Sequence, residues 1–143
     1  MFAILDTNHF SAVDRDAAAA RVFARKAAQH EGALFITVIT VEEVTRGWLA
    51  LLASKKKREQ EIPVYQRLKR SAEMFGEWDI LDWDADALVV FEELRRRRLK
   101  MSTADMKIAS IALTHDAMLL TQNLGDFTKV PGLRVENWLE QRP

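Results

Sequence analysis

A chain of 143 residues with 48% apolar side chains has the length and composition of one compact domain that buries a real core. Its 21 basic and 21 acidic side chains cancel, so composition gives no general attraction to polyanions, and any affinity for nucleic acid must come from local clusters. The absence of cysteine excludes a disulfide framework, a thiolate metal site and a thiol nucleophile, and suits a reducing cytoplasm. The amino terminus carries no basic leader, and the apolar run Phe2 to Leu5 reaches Asp6 long before a signal peptide or membrane span is complete. The expectation is a soluble cytoplasmic protein with no membrane partner.

The elements read in chain order as strand and helix in alternation. Phe2 to Leu5 fits a fully buried strand, and Asp6-Thr7-Asn8 breaks it with residues that favour turns and helix caps. Asp16 caps a predicted helix from Ala17 to about His30, and Gly32 resets the chain. Leu34 to Ile39 is β-branched and aromatic, a second buried strand, and Thr40 is the predicted opening of a helix through about Leu52. A charged corner from Ser54 to Gln60 precedes Pro63 and a helix from about Val64 to Phe75. Trp78 to Trp83 is a short strand, and Asp84 caps a helix running towards Arg98. After Ser102, Ile108, Ala109, Ala112 and Leu113 recur at helical spacing up to His115-Asp116. Met118 to Thr121 is a buried strand, Leu133 to Val135 a last one, and Trp138-Leu139 packs the end.

Parallel strands need crossover connections, so this alternation predicts an α/β fold with a mostly parallel sheet of four to five strands and helices on both faces. In such sheets, sites form beyond the carboxyl ends of the strands. Asp6 and Glu43 follow the first two strands, Asn123 and Asp126 follow the fourth, and Asp105 opens a helix antiparallel to the sheet. All five should therefore meet at one edge.

An acidic, oxygen-rich pocket suits Mg²⁺ or Mn²⁺, hard ions that take one or two carboxylates together with waters and substrate phosphate. Such an ion activates water and steadies a departing oxygen, which points to phosphodiester hydrolysis. His9, His30 and His115 form no zinc spacing, and no phosphate-binding glycine loop or serine-nucleophile elbow is present. Each acid also has a plainer reading. Thr40-x-x-Glu43 matches a capping box, Ser102-x-x-Asp105 is its shorter relative, and Asp6 and Asp126 fit turns. A carboxylate in a helix's first turn can cap and coordinate at once.

The series Leu5-Asp6-Thr7-Asn8, Val38 to Gly47 with Glu42-Glu43, Ser102 to Ala109 with Asp105, and Leu120 to Phe127 followed by Val130-Pro131-Gly132-Leu133 resembles a PIN domain of the VapC toxin type. The resemblance covers nearly the whole chain, and implies one PIN-like nuclease domain over residues 1–143. It further implies a Mg²⁺- or Mn²⁺-dependent endoribonuclease, neutralised by a cognate antitoxin and commonly a homodimer. By position, Asp6 and Asp105 correspond to the principal metal ligands, Glu43 to the third acid, and Thr7 or Asn8 to polar support. The chain departs from the family at Asn123, where many PIN domains have Asp; here Asp126 follows three residues later.

Lys55-Lys56-Lys57-Arg58 and Arg95-Arg96-Arg97-Arg98 with Lys100 are candidate RNA contacts, but four consecutive helical residues span about 300° and cannot share one phosphate track. Arg46 lies nearer the acidic edge, and with Thr7, Asn8 and Thr121 is an expected substrate contact. The helix bearing Trp48, Leu51 and Leu52 and the next, with Val64, Leu68 and Phe75, are the expected antitoxin surface wherever they are exposed. The competing reading is a noncatalytic PIN-like module that binds RNA or protein.

Overall fold

Strand β1 (Ala3–Leu5) is fully buried because it has neighbours on both sides and helices on both faces. Ala3 and Leu5 point into one core and Ile4 into the other, which is why the run is apolar without alternation. The computed structural model describes residues 1–140; the last three residues of the predicted 1–143 domain lie outside the described residues. After α1 (Thr7–Arg15) and α2 (Ala17–Gln29) the chain returns as β2 (Leu34–Thr37), parallel to β1. Helix α3 (Val38–Ala53), a 3₁₀ turn (Arg58–Glu61) and α4 (Ile62–Phe75) lead to β3 (Ile80–Leu81), parallel to β2.

The chain then crosses the sheet. Helices α5 (Ala85–Arg96) and α6 (Thr103–Thr114) carry it to β4 (Met118–Leu120), which pairs with the other side of β1 in the register Ile4↔Leu119 and Leu5↔Leu120. A short α7 (Leu124–Phe127) and edge strand β5 (Val135–Glu136) follow. The sheet is five-stranded and parallel throughout, in the order β3-β2-β1-β4-β5. Strand order reverses between β1 and β4, so the crevice of this open sheet lies beyond the ends of those two strands.

One core joins Phe10, Phe23, Val44, Trp48, Val64 and Phe75 from α1 to α4 against Ala3, Leu5, Ile36 and Leu120. The other joins Phe91, Leu94, Ile108 and Ile111 from α5 and α6, and Phe127, against Ile4 and Leu119. Trp48, Val64 and Phe75, expected as part of the antitoxin surface only where exposed, are thus core residues. The exposed large apolar side chains of the α3 and α4 pair among the described residues are instead Val38, at the start of α3, and Leu49, Ile62 and Tyr65. No helix among the described residues is long and apolar enough to cross a membrane.

Several boundaries differ from the sequence reading. Asp6-Thr7-Asn8 is expected only to break the strand, and no element is expected before Asp16; instead Thr7–Arg15 is a helix capped by Asp6, whose carboxylate accepts the His9 backbone N–H at 2.8 Å. Helix α3 begins three residues early because the Thr37 hydroxyl accepts the Thr40 N–H at 3.3 Å. Thr40 is therefore not an N-cap, and Glu43 lies in the second turn. The final strand is Val135–Glu136 in place of Leu133 to Val135.

Candidate active site

Asp6 leaves β1 beside the end of β4: its backbone N–H donates to the Leu120 carbonyl at 3.0 Å. Its side chain is only 2% exposed. Burial, the largest influence, pushes its pKa up to about 6; hydrogen bonds from Thr121 and the His9 backbone oppose this, and Asp105 and Glu43 add to it. Asp105 sits in the first turn of α6, its N–H held by the Ser102 hydroxyl at 3.1 Å. Its carboxyl is also raised, first by burial and then by Glu43 and Asp126, with Ser102 opposing. Four acids from four separate segments, Asp6, Glu43, Asp105 and Asp126, therefore act on one another's surroundings.

Glu43 is aimed by a relay that the sequence alone did not disclose. The Thr7 hydroxyl donates to Glu43 Oε1 at 2.6 Å and lies 3.0 Å from the Thr40 hydroxyl. One hydroxyl has one proton, so Thr40 donates to Thr7 and Thr7 to Glu43. Thr40 is fully buried, and its i,i+3 spacing to Glu43 was the available signal.

Asn123 and Asp126 form their own unit. The Asn123 amide donates to Asp126 Oδ2 at 2.9 Å, and its backbone N–H donates to the Thr121 hydroxyl at 2.9 Å. Asn123 thus caps α7 and orients Asp126, while Lys129 lies 3.6 Å from Asp126 Oδ1. Asn8 is exposed on the first turn of α1. Arg46 is exposed on α3 and pairs with Glu42 at 2.8 Å rather than reaching the acids. Arg95 to Arg98 are all exposed at the end of α5, and Lys56 to Arg58 are exposed near the 3₁₀ turn.

A family model described as PIN domain matches residues 3–133. The chain belongs to the PIN domain family. Over 64 residues this PIN domain is 34% identical to Ribonuclease VapC2 of Rickettsia felis, an alignment covering 42% of this chain and 48% of that protein. Over 64 residues it is 31% identical to the tRNA(fMet)-specific endonuclease VapC of Salmonella typhimurium, with the same shares of 42% and 48%. The chain thus spans about half the length of the curated relatives it matches. It superposes on a chain in the crystal structure of VapBC2 from Rickettsia felis bound to a DNA fragment from their promoter, with TM-score 0.72 and 26% identity, covering 96% of this chain and 99% of that one.

No three His, Asp or Glu side chains among the described residues of this PIN domain are already arranged to hold a metal ion. Thr7 holds one oxygen of Glu43, and Asn123 and Lys129 hold Asp126. The donor set itself fits Mg²⁺ or Mn²⁺. It consists of hard oxygens, partly stripped of water, and such an ion needs only one or two of them beside its own waters and a phosphate.

Proposed function

We propose that this chain is a VapC-type endoribonuclease that hydrolyses RNA phosphodiester bonds, its nuclease unit being the whole chain 1–143. The observation that carries this reading is the gathering of Asp6, Asp105 and Glu43 where strand order reverses, two of them with raised carboxyl pKa values and mutual repulsion. Buried like charges without a cation are costly unless a positive ligand offsets them. Asp6 and Asp105 are the residues that would hold a Mg²⁺ or Mn²⁺ ion, with Glu43 as the third acid. A bound ion of this kind lowers the pKa of its water and offsets charge on the phosphoryl oxygens.

The remaining roles belong to the chain's own groups. The Thr40–Thr7 relay leaves the second oxygen of Glu43 free to accept a hydrogen bond from the attacking water. Asn123 holds Asp126 at the rim, and Thr121 donates to Asp6 and steadies its carboxylate.

The proposed surroundings are a cytoplasm, a second copy of the chain as homodimer, and a cognate antitoxin seated on Leu49, Ile62 and Tyr65. Substitution of those three by polar residues should abolish antitoxin binding; unchanged affinity removes the surface. The Salmonella relative's named target makes a tRNA pool the first substrate to try. Purified protein incubated with defined RNA and tRNA, with Mn²⁺ or chelator, should give discrete cuts only with the ion. The competing reading is a noncatalytic module that binds RNA or protein. Divalent-ion titration of wild type and Asp6→Asn separates the two: a catalytic site binds the ion and loses it on substitution.

A further inference from the structure

A second feature lies beside the acids and shares only Glu43 with the roles above. Between α3 and α6 runs an open cleft of about 500 Å³, lined by Glu42, Glu43, Arg46 and Gly47 on one side and Thr103 and Lys107 on the other. That volume is within the range of about 300–1,000 Å³ usual for ligand pockets. Glu43 belongs both to this cleft and to the carboxylate cluster, so the two are continuous.

Lys107 is half-buried and forms no ion pair among the described residues. Its ammonium lies 5.5 Å from the centre of the Trp83 ring, which is itself braced edge-on by Phe91 at 5.4 Å. An aromatic face positions a cation and leaves its hydrogen-bond donors free. Arg46 is bound only to exposed Glu42, an i,i+4 pair of the kind that contributes little and is readily exchanged.

Gly47 sits in the interior of α3, where glycine is disfavoured relative to alanine. Its φ is not positive, and a Cβ built there would meet nothing within 4 Å. Neither backbone conformation nor packing within the chain asks for glycine, and its missing side chain leaves open space on the wall of the cleft.

We propose that the cleft between α3 and α6 is a nucleotide-binding subsite in which Lys107, joined by Arg46, holds an RNA phosphate flanking the scissile bond while Gly47 leaves room for the adjoining sugar. This rests on the ribonuclease reading, and its test is built to separate the two.

Binding of a short, fluorescein-labelled, unstructured single-stranded RNA to the full chain is measured by anisotropy in chelator, and cleavage of the same RNA in Mn²⁺. Lys107→Gln should weaken binding about tenfold, as expected for loss of a charged hydrogen bond, and flatten the salt dependence by a slope of about 0.7. Its KM should rise while kcat stays near wild type, and Lys107→Arg should restore binding. Gly47→Ala should raise the melting temperature and still weaken RNA binding, two changes that a merely structural glycine would not combine. Unchanged affinity and salt slope in both variants overturn the subsite. So does a Gly47→Ala protein whose oligomeric state changes together with its affinity, since the space then belongs to a second copy. If wild type binds RNA but does not cut it, the ribonuclease reading falls and the two variants still decide the cleft; if wild type does neither, both fall.

Discussion

Asp6 and His9 sit on the same turn and pull the pH dependence of stability in opposite directions. Burial holds the Asp6 carboxyl up at about 6, above its ordinary 3.8. Its contribution favours the folded state at low pH and is lost as pH rises through about 6. His9 is fully buried, neither ring nitrogen has a partner among the described residues, and burial pushes its pKa down to about 4 from 6.5. Its contribution is present above 6.5 and is lost as pH falls towards 4. Each shift corresponds to roughly 3 kcal/mol, so the two offset each other in wild type between about pH 4 and 6. Thermal melts from pH 4 to 7 should separate them. Relative to wild type, Asp6→Asn should lose stability on acidification, and His9→Leu should gain it. Metal-free Asp6→Asn should also be more stable than wild type at pH 7.5, by about 1–3 kcal/mol, because Asn still caps α1 and carries no buried charge. A less stable variant at that pH would show that Asp6 is not strained by its surroundings. Asp105→Asn should cut RNA at least about a hundredfold more slowly with the fold intact; near-normal rates after removal of contaminating nucleases would dismiss its role.

Helix α3 shows how a three-residue difference in where an element starts alters the meaning of a residue. With Thr37 as cap, Thr40 is freed from capping and becomes the buried end of the relay to Glu43. Thr40→Val keeps the shape and removes the relay's first hydroxyl. It should lower kcat roughly tenfold through loss of orientation, with little change in KM. Equal effects on kcat and folding would make Thr40 a packing residue only. The turn before β2 gives the opposite kind of constraint to Gly47. Gly32 has φ +141°, and a Cβ there would lie 2.2 Å from the Met1 carbonyl oxygen. Gly32→Ala should therefore destabilise the protein by about 1–3 kcal/mol in a denaturant titration, by strain and displacement of the amino-terminal strand. Ser102 and Asp84 were legible as caps because capping depends on neighbours three residues apart; both accept the expected N–H. Helix α1 was not legible, because Asp6-Thr7-Asn8 has the same composition whether it starts a helix or turns a loop.

At the level of the whole molecule, the metal-free protein holds its acids in repulsion, so a divalent ion should couple binding to stability. Mg²⁺ or Mn²⁺ should raise the melting temperature at pH 7.5, following RT ln(1 + [L]/Kd), and chelator should reverse it. If Asp6 holds the ion as proposed, the rise should shrink at pH 5, where a proton on its carboxyl competes with the ion. An increase of equal size at both pH values would place the ion elsewhere. Apolar runs, caps and the alternation of strand with helix were enough to determine a parallel α/β fold, because they depend on local backbone chemistry and on burial of both sheet faces. The same pattern placed Asp6, Glu43, Asp105 and Asp126 near one edge. Only the tertiary structure decided that β4 returns beside β1, bringing Thr121 to Asp6, that Thr7 and Thr40 aim Glu43, and that Asn123 serves Asp126. Those contacts join residues up to more than a hundred positions apart in the sequence. They are fixed by strand order and helix packing, which no local pattern of side chains encodes.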